Sequence, residues 1–347
     1  MKVNQRVINK DTKPYIIAEL SANHGGDIKR AKDSITVAAK TGVSAIKIQT
    51  YTPDTMTINS NLADFVVTEG LWSGRTLYEL YSEAYTPFEW HEELFKHAKN
   101  CDVTLFSTPF DESAVDLLES LDTPAYKIAS FEIVDLPLIK YVASKNKPIF
   151  MSTGMASKIE IEDAVRTVRE NSGSDLLLFH CISSYPAITE DSNLNNLTWL
   201  REKFGVEVGL SDHTTDNIAA VTAIGMGAVA IEKHFKLDNE ECGPDSSFSL
   251  SIDELSKLTN DCNDAWTAKG TVSFNRARSE AQNMVFRRSI YFVKSLKKGQ
   301  KISKQDIKRI RPGFGLPPKY FDSLIGREVA VNVNPGDAVT FDVLSEE

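Results

Sequence analysis

Cysteine is scarce in this sequence, and long apolar runs are missing. The 347 residues include four cysteines without CxxC spacing, which excludes a zinc knuckle and a disulfide framework and predicts four free thiols. No stretch approaches the roughly 18 apolar residues that a membrane span needs, and the first residues lack the apolar core of a signal peptide. We therefore expect a cytoplasmic protein with no membrane partner.

Basic residues are in the minority, and they are unevenly placed. Lys and Arg number 39 against 48 Asp and Glu, so the net charge is −9, which disfavours a general nucleic-acid binder. Residues 285–312 nevertheless hold ten Lys or Arg and one Asp, which leaves −18 on the rest of the chain. No nucleic-acid-reading motif accompanies this basic segment, so we expect no nucleic acid partner. Docking onto another subunit and a sparse basic surface are the two interpretations left open.

Short apolar, β-branched runs recur along the first 234 residues. Their starts lie 22 to 30 residues apart, with one gap of 58, and this is the period of a strand, a crossover helix and two loops. Eight such units predict an α/β fold of the (β/α)8 TIM-barrel class. A dinucleotide-binding sheet is disfavoured, because no GxGxxG follows the first run. The predicted strands are Tyr15–Leu20, Ala45–Gln49, Val103–Thr108, Ala125–Ser130, Pro148–Ser152, Leu176–His180, Val206–Ser211 and Ala228–His234.

Two regions depart from the barrel period. The long gap corresponds to Tyr51–Asp102, an aromatic-rich insertion that is either a substrate wall or an ordinary hydrophobic satellite. Near the end of the chain, short strands separated by Pro-Gly and Lys-Gly turns indicate a small β-rich C-terminal domain. These strands are predicted at Ser289–Val293, Glu328–Val331 and Val339–Asp342. We assign residues 1–268 to the barrel, 269–284 to a linker and 285–347 to the C-terminal domain.

Polar residues occur at the end of every predicted barrel strand, which is where barrel enzymes carry their chemistry. Lys47 and Lys127 lie within otherwise apolar strands, and a lysine inside a barrel requires an anionic partner. Nearby hydroxyl residues could complete a phosphate or carboxylate cradle. An ion pair with Glu19 or Glu132 and a Schiff-base lysine are the alternatives.

Four of the six histidines lie at strand ends, and His213 and His234 close the neighbouring seventh and eighth strands. Two neutral imidazoles beside carboxylates such as Glu19 and Asp245 suit a divalent metal of the Mn, Co or Zn type. The alternative is a pair of hydrogen-bonded histidines at the rim of the core. The paired placement favours a metal site.

Seven motifs in barrel order closely resemble the sialic acid synthase family, and the resemblance covers nearly the whole chain. The motif near the C-terminus, Arg311–Gly315, looks like the signature of that family's antifreeze-like (SAF) domain, a β-clip fold. The resemblance therefore implies a TIM barrel followed by an SAF domain. The seven motifs are Ile17–Gly25, Ile46–Gln49, Phe106–Phe110, Lys127–Glu132, Met151–Met155, Gly209–Thr214, and Glu232–Phe235 with Gly243–Asp245.

Within the family, the insertion resembles the branch that makes pseudaminic acid more than the branch that makes N-acetylneuraminate. Leu71–Tyr81 and Thr86–His91 carry this likeness, together with Ser21-Ala22 and Ser183–Pro186. The last segment is also a departure, because sialic acid synthases place a substrate-contacting asparagine near Ser183. The resemblance implies a metal-dependent condensation of phosphoenolpyruvate with 2,4-diacetamido-2,4,6-trideoxy-altrose, with C–O cleavage of phosphoenolpyruvate and release of phosphate.

Other functions remain as alternatives at this stage. An N-acetylneuraminate or legionaminate synthase would run the same mechanism on another sugar. A metal-dependent barrel hydrolase would release no phosphate from phosphoenolpyruvate, and a carbohydrate-binding protein with an idle barrel would not need the complete set of polar strand ends.

The resemblance also assigns roles residue by residue. It implies that phosphoenolpyruvate is held by Lys47, Thr108, Lys127, Ser130 and Ser152. It implies that the sugar and the reacting centre are faced by Glu19, Gln49, Tyr185 and Asp245. A divalent metal, Mn2+ first with Mg2+ or Co2+ as alternatives, would bind His213 and His234 and polarise the sugar aldehyde. Glu132 is the candidate that guides the water, with a salt bridge to Lys127 as its alternative. In relatives a swapped homodimer brings the arginine matching Arg311 to the sugar's acetamido group.

Overall fold

Eight parallel strands close into a barrel, as the spacing of the apolar runs predicts. The computed structural model describes residues 1–237 and 243–345, and it divides the chain into two units, Met1–Gly270 and Thr271–Glu347. The barrel belongs to the first unit, and its last strand pairs with its first to close it. Its strands are β3 (Tyr15–Glu19), β4 (Ala45–Thr50), β5 (Thr104–Pro109), β6 (Tyr126–Ile128), β7 (Ile149–Ser152), β8 (Leu176–Cys181), β9 (Glu207–Asp212) and β10 (Ala230–His234).

Ten helices accompany the barrel in the described part of the first unit. Several begin at capping side chains: Asp27 accepts a hydrogen bond from the backbone N–H of Lys29, and Ser251 forms a capping box with Glu254. Their bounds are α1 (Ile28–Lys40), α2 (Pro53–Met56), α3 (Leu77–Ala84), α4 (His91–Asn100), α5 (Glu112–Ser120), α6 (Leu136–Ser144), α7 (Lys158–Asn171), α8 (Asn196–Phe204), α9 (Ile218–Gly225) and α10 (Ile252–Lys269).

The alternation of side chains along each strand separates two apolar layers. Ile16 and Ala18 of β3 join the core between barrel and helices, whereas Tyr15 and Ile17 join a second cluster inside the barrel. The same alternation turns Glu19, at the carboxyl end of β3, toward the barrel interior. Charged residues at the strand ends therefore continue an otherwise apolar inner face.

The floor of the barrel interior is packed with aromatic rings. Phe106, Phe150 and Phe179 stack there, with centroid distances of 5.2 and 5.8 Å between successive rings. An N-terminal hairpin that the sequence analysis did not predict, β1 (Lys2–Val3) and β2 (Arg6–Val7), contributes buried Val3 to the same cluster. Polar groups inside the barrel are consequently confined to its opposite, carboxyl end.

The long insertion contains both a packing element and a wall. Helix α4 buries Leu94 and Ala98 in the outer core, and Trp90 packs against that core, so this part is a crossover helix. Trp72 and Tyr81, from the preceding part, line a cavity at the carboxyl end of the barrel. The α4 half is therefore ordinary hydrophobic packing, whereas the preceding half lines a cavity, and its role as a substrate wall stays a prediction.

The second unit has its own apolar core, which includes Phe292 and Val329. Its strands are β11 (Ser289–Phe292) and β12 (Ile307–Ile310), which pair antiparallel. The first of the three predicted strands is thus present. The prediction of strands at Glu328–Val331 and Val339–Asp342 is wrong, because the first segment forms only isolated bridges, at Glu328 and Val329, and the second forms none and runs into a 3-10 turn.

Two further expectations concern membranes and thiols. Within residues 1–237 and 243–345, no helix is long and apolar enough to cross a membrane. Cys101, Cys181 and Cys262 are free thiols. The fourth predicted thiol, Cys242, lies outside the described residues.

Candidate active site

Two buried lysines meet carboxylates inside the carboxyl end of the barrel. Lys47 Nζ lies 2.5 Å from Glu19 Oε2, and Lys127 Nζ lies 2.6 Å from Glu232 Oε1. Lys47 Nζ is also 3.9 Å from Glu232 Oε1, so the four groups form one cluster. The alternative pairing of Lys127 with Glu132 is wrong, because the partner that reaches Lys127 across the barrel comes from β10.

The two carboxylates of this cluster have pKa values shifted in opposite directions. Burial raises the pKa of Glu19 to about 7, against the opposing charge of Lys47. Burial also disfavours the ionised form of Glu232, but the charges of Lys127 and Lys47 outweigh it and lower that pKa to about 2. Burial lowers the pKa of Lys127, although the charge of Glu232 opposes this shift. Glu232 is thus the fixed anion of the cluster, whereas Glu19 can exchange a proton near neutral pH.

One of the three predicted hydroxyl groups contacts a lysine, and the other two do not. Thr108 Oγ1 accepts a hydrogen bond from Lys47 Nζ at 3.0 Å, and Ser130 Oγ accepts one from the backbone N–H of Gly154 at 3.1 Å. Ser152 Oγ is buried with no hydrogen-bond partner in the described structure. A buried hydroxyl without a partner is costly, and a bound anion would satisfy it.

A cavity of about 270 Å³ opens beside this cluster. It brings together five of the predicted sugar-facing, metal and water-guiding residues: Gln49, Glu132, Tyr185, His234 and Asp245. Much of the remaining wall is apolar. The apolar lining consists of Met56, Val67, Leu77, Leu80, Ala84, Phe110, Ala129 and Phe131, and the rings of Tyr51, Trp72 and Tyr81 extend it.

Trp72 ties the insertion to the loop that follows β10. Its indole Nε1 donates to the backbone oxygen of Pro244 at 3.1 Å, and its ring lies 5.9 Å from that of Tyr185. Pro244 immediately precedes Asp245, so the contact fixes the wall of the cavity against the carboxylate at its edge.

His213 and His234 lie side by side at the ends of β9 and β10, with ring centroids 5.4 Å apart. His213 Nδ1 donates to the backbone oxygen of Ile182 at 2.9 Å, which leaves the lone pair of Nε2 available to a ligand. His234 Nδ1 is buried without a hydrogen-bond partner among the described residues, and it lies 3.9 Å from Asp245 Oδ2. Burial, and then the neighbouring His213, lower the pKa of His234 well below its usual value, which favours the neutral imidazole.

This donor set fits a divalent metal only in part. Two imidazoles with their second nitrogens fixed or unpartnered are the donors that such an ion prefers. Across the part of the chain that the structure describes, however, no group of three or more His, Cys, Asp and Glu side chains is arranged to hold a metal. The protein would supply the two histidines, with oxygen ligands from substrate and water. The metal therefore stays a prediction.

The two other strand-end histidines make structural contacts. His180 Nε2 lies 2.7 Å from the backbone oxygen of Ser192. His24 Nδ1 accepts a hydrogen bond from the backbone N–H of Gly26, and its ring meets Trp90 edge-on at 5.5 Å. Both anchor loops at the carboxyl end of the barrel.

Glu132 faces the cavity from the turn that follows β6. Its Oε2 is buried and accepts no hydrogen bond from the described residues. Burial raises its pKa to about 7. A carboxyl with this pKa can take and release a proton at neutral pH, as a group that guides water must.

Sequence reasoning did not select three residues of the site. Glu232 stands at the end of a predicted strand. It lies two residues from both Ala230 and His234, so the alternation of side chains places it on the inner face of the barrel. Its lysine partners could not be predicted from spacing. Ser21 carried part of the family resemblance but no predicted role, and Phe248, which packs on the ring of His234 at 5.0 Å, carried no signal. Arg311 lies in the second unit with its side chain exposed, and its predicted role stays a prediction.

Comparisons with known proteins agree with this description. A family model for the NeuB family matches residues 34–273, and one for the SAF domain matches residues 287–345. The chain is 44% identical to a pseudaminic acid synthase of Campylobacter jejuni, over 95% of this chain and 96% of the relative. It is 41% identical to a pseudaminic acid synthase of Helicobacter pylori, over 91% and 94%. An N-acetylneuraminic acid synthetase structure from Leptospira borgpetersenii superposes with a TM-score of 0.73 at 28% identity, covering 82% of this chain and 94% of that one.

Proposed function

The chain belongs to the NeuB family, and from that premise we propose that it is a pseudaminic acid synthase. It condenses phosphoenolpyruvate with 2,4-diacetamido-2,4,6-trideoxy-altrose and water to give pseudaminic acid and phosphate. The observation that carries the proposal is the pair of buried lysines beside an unpartnered hydroxyl at the end of the barrel. The likeness to two pseudaminic acid synthases over nearly their whole length supports the choice of sugar.

Phosphoenolpyruvate would bind over the lysine cluster. Lys47 and Lys127 supply two buried cations, and charge-assisted hydrogen bonds to an anion are among the strongest in proteins. Ser152 would donate its unpartnered hydroxyl to the same anion, with Thr108 and Ser130 beside it. The aromatic floor below this cluster, where the ring of Phe179 lies 4.7 Å from Lys127 Nζ, excludes water from the lower side.

The open-chain sugar would occupy the cavity lined by the insertion. Its polar side offers Gln49, Tyr185 and Asp245 to hydroxyl and amide groups, and its apolar wall suits the methyl groups of two acetamido substituents and of a 6-deoxy carbon. A sugar with a hydroxylated side chain would place polar groups against that wall without partners. The wall therefore supports a deoxy, diacetylated substrate.

Three protons must move during the condensation. C3 of phosphoenolpyruvate forms the new bond to the sugar aldehyde carbon, whose oxygen then takes a proton, and water adds at C2 and loses one. The C2 hydroxyl then passes its remaining proton to the phosphate, which leaves by C–O cleavage. Glu19, with its pKa of about 7, would give the first proton, and Glu132 would take the second. A divalent cation on His213 and His234 supplies Lewis-acid polarisation of the aldehyde when it is bound.

We also propose a homodimer in which each C-terminal unit caps the barrel of the other subunit and Arg311 contacts the sugar. The opposed charges of residues 285–312 and of the rest of the chain support this arrangement.

Subunit mixing tests the swapped dimer directly. Neither Lys127→Met nor Arg311→Ala should be active alone, but exchanged dimers should regain activity, because one of their two sites then combines a wild-type barrel with a wild-type cap. No regained activity after verified subunit exchange would contradict the swap.

The decisive experiment measures phosphate release from phosphoenolpyruvate with Mn2+ and each of three sugars: the altrose, mannose-type and legionaminate precursors. Mass detection of the nine-carbon acid and an EDTA control complete it. Turnover confined to the altrose sugar is expected. Turnover of another sugar instead would contradict the sugar assignment, and no phosphate from any of them would contradict the reaction. The proposed reaction takes place in the cytoplasm, where phosphoenolpyruvate is available.

A pair of histidine variants tests the metal within the same assay. His234→Ala should abolish metal-dependent turnover and leave the circular dichroism spectrum unchanged. His97→Ala is the matched control, because His97 lies on α4, where its ring contacts Thr36 away from the cavity, and it should keep full activity. Full activity of the wild-type protein in metal-stripped buffer would contradict the metal role.

A further inference from the structure

Ser21 connects three parts of the candidate site that are far apart in sequence. It follows β3, is buried, and lines the cavity. Its Oγ donates to Asp245 Oδ2 at 2.5 Å, across 224 residues of sequence. The same oxygen accepts a hydrogen bond from Gln49 Nε2 on β4 at 2.9 Å.

The direction of each hydrogen bond in this chain is fixed by its ends. Asp245 is a carboxylate and accepts, so the one hydroxyl hydrogen of Ser21 points toward it. Ser21 can therefore only accept from Gln49, whose Nε2 also lies 3.4 Å from Glu19 Oε1. The amide nitrogen of Gln49 is thus committed to the protein.

The amide oxygen of Gln49 is consequently the atom left for a ligand. Gln49 lines the cavity, and among the described residues its Oε1 accepts no hydrogen bond. A side-chain amide that is free to turn would offer either its donors or its acceptor. Here the Ser21 hydroxyl accepts from the amide nitrogen of Gln49, which excludes the orientation with the amide oxygen toward Ser21.

The backbone of Ser21 is held in a conformation that few non-glycine residues adopt. Its φ is +44°, in the left-handed region. Non-glycine residues in this region are strained, and such strain persists where the surroundings require it, often at functional sites. Glycine would adopt this backbone more readily, so the strain gives no reason for a serine here, whereas its two hydrogen bonds do.

We propose that Ser21 is a positioning residue that turns the Gln49 amide oxygen toward the sugar, so that the sugar group facing Gln49 must be a hydrogen-bond donor, a hydroxyl or an amide N–H. This inference rests on the proposed function and deepens it. Ser21 acts through Gln49, with Asp245 fixing the direction of its hydroxyl. It belongs to the sugar side of the site and not to the lysine cluster that would hold phosphoenolpyruvate.

Ser21→Gly tests the proposal without straining the fold, because glycine accepts the positive φ. We expect KM for the sugar to rise about tenfold, the effect of one lost buried hydrogen bond, while KM for phosphoenolpyruvate changes less than about twofold. In a Gln49→Met background the same substitution should raise KM for the sugar by about threefold or less. The matched control is Ser34→Ala, which removes a buried, unpartnered hydroxyl from α1 and should change neither constant.

Two kinetic results would overturn the proposal: equal changes in both KM values, or an undiminished effect in the Gln49→Met background. Crystal structures of the wild-type and Ser21→Gly proteins test it without any substrate, because the Gln49 amide should leave its position beside Glu19 in the variant. If the wild-type protein turns over no sugar, the proposed function fails. A Gln49 amide that keeps its position in the variant overturns the Ser21 role by itself.

Discussion

Two ion pairs on adjacent residues of β10 face opposite sides of the barrel wall. Glu232 points inward and meets Lys127 at 2.6 Å, and Lys233 points outward and meets Asp212 of β9, also at 2.6 Å. Both pairs are buried, and each joins a lysine Nζ to a carboxylate oxygen. They differ in how completely their hydrogen-bonding capacity is used.

The outward pair is complete. The three hydrogens of Lys233 Nζ are matched by Asp212 Oδ2, Thr214 Oγ1 and the backbone oxygen of Asp216, at 2.6, 3.2 and 2.7 Å. Asp212 Oδ1 accepts from the backbone N–H of Thr214 at 2.9 Å. No hydrogen of Lys233 Nζ is left for a ligand, so this network has a structural role. It joins β9, β10 and the loop between β9 and α9.

The inward pair is incomplete. Glu232 Oε2 accepts no hydrogen bond from the described residues, and neither does the neighbouring Ser152 hydroxyl find a partner there. Buried polar groups are almost always satisfied in folded proteins, so these two groups have capacity for a ligand or for water that the outward pair does not have. The comparison teaches that burial and pairing do not by themselves separate structure from function. Unused hydrogen-bonding capacity does so where several such groups occur together at the strand ends, as here, and not where one stands alone, as at the Ser34 hydroxyl of α1.

The largest expected effect on folding follows from breaking the outward pair. Lys233→Met leaves the Asp212 carboxylate buried and without its cation, which should lower the free energy of unfolding by about 3–5 kcal/mol. Urea unfolding followed by circular dichroism measures it. Lys257→Met is the matched control, because it breaks an exposed pair on α10, Lys257–Asp261, and should cost less than about 1 kcal/mol. Equal losses in the two variants would contradict the structural role of the outward pair.

Breaking the inward pair should affect turnover instead. Lys127→Met removes a cation from the proposed phosphoenolpyruvate site and should lower kcat/KM about 10³-fold. Its effect on unfolding should stay below about 2 kcal/mol, because Lys47 remains 3.9 Å from Glu232. Steady-state kinetics and urea unfolding of the same preparation check both parts. Lys145→Met, on the surface beside Asp116, is the control for activity. If Lys127→Met unfolded readily but kept its kcat/KM, the inward pair would have the structural role and the comparison would be contradicted.

The platform beneath the inward pair gives an intermediate effect. A Cβ on Gly209 would lie 2.5 Å from the ring of Phe179 and 2.6 Å from the backbone oxygen of Ala230, so Gly209→Ala should destabilise the protein by about 1–3 kcal/mol. Because Phe179 lies under Lys127, KM for phosphoenolpyruvate should rise as well. Thermal unfolding and kinetics measure the two effects. Gly173→Ala meets no atom within 4 Å and serves as control; equal behaviour of the two variants would contradict the close packing.

The strand pattern explains why the barrel was predictable. Runs such as Tyr15–Leu20 alternate residues that belong to two different apolar layers, so both faces are buried and the run reads as continuously apolar. Strands of this kind are bounded by polar ends, and the observed β3 differs from its prediction by one residue. In the C-terminal unit only Ser289–Val293, whose strand residues are all buried, carried such a signal, whereas Glu328–Val331 meets its neighbours at isolated bridges only.

The site was predictable only where a residue's own position carries the information. Lys47 and Lys127 were visible because a charge within an apolar strand is rare. The pairing of Lys127 with Glu232 was not visible, because it crosses the barrel from β6 to β10 and depends on closure. Ser21 was noticed only as part of the family resemblance, and its contacts could not be predicted because they depend on a left-handed backbone in a loop.

Glu132 extends the comparison to a buried carboxylate without a cation. Burial raises its pKa to about 7, whereas the lysines lower that of Glu232 to about 2. The folded protein therefore favours protonated Glu132, and this contribution to stability is complete below a pH of about 4.5 and is lost as the pH rises through about 7. Glu132→Gln avoids that loss. At pH 8 it should be about 1–2 kcal/mol more stable than the wild-type protein, with a smaller difference at pH 5.

Urea unfolding of both proteins at pH 5 and pH 8 measures this smallest effect. Glu202→Gln, exposed on α8, is the matched control and should give the same difference at both pH values. The pH dependence of kcat provides the second readout, because loss of the carboxyl should remove an ionisation near pH 7 along with most of the turnover. If the stability difference between Glu132→Gln and the wild-type protein did not change with pH, Glu132 would ionise as an exposed carboxyl does. It would then no longer be the group that takes the proton from water.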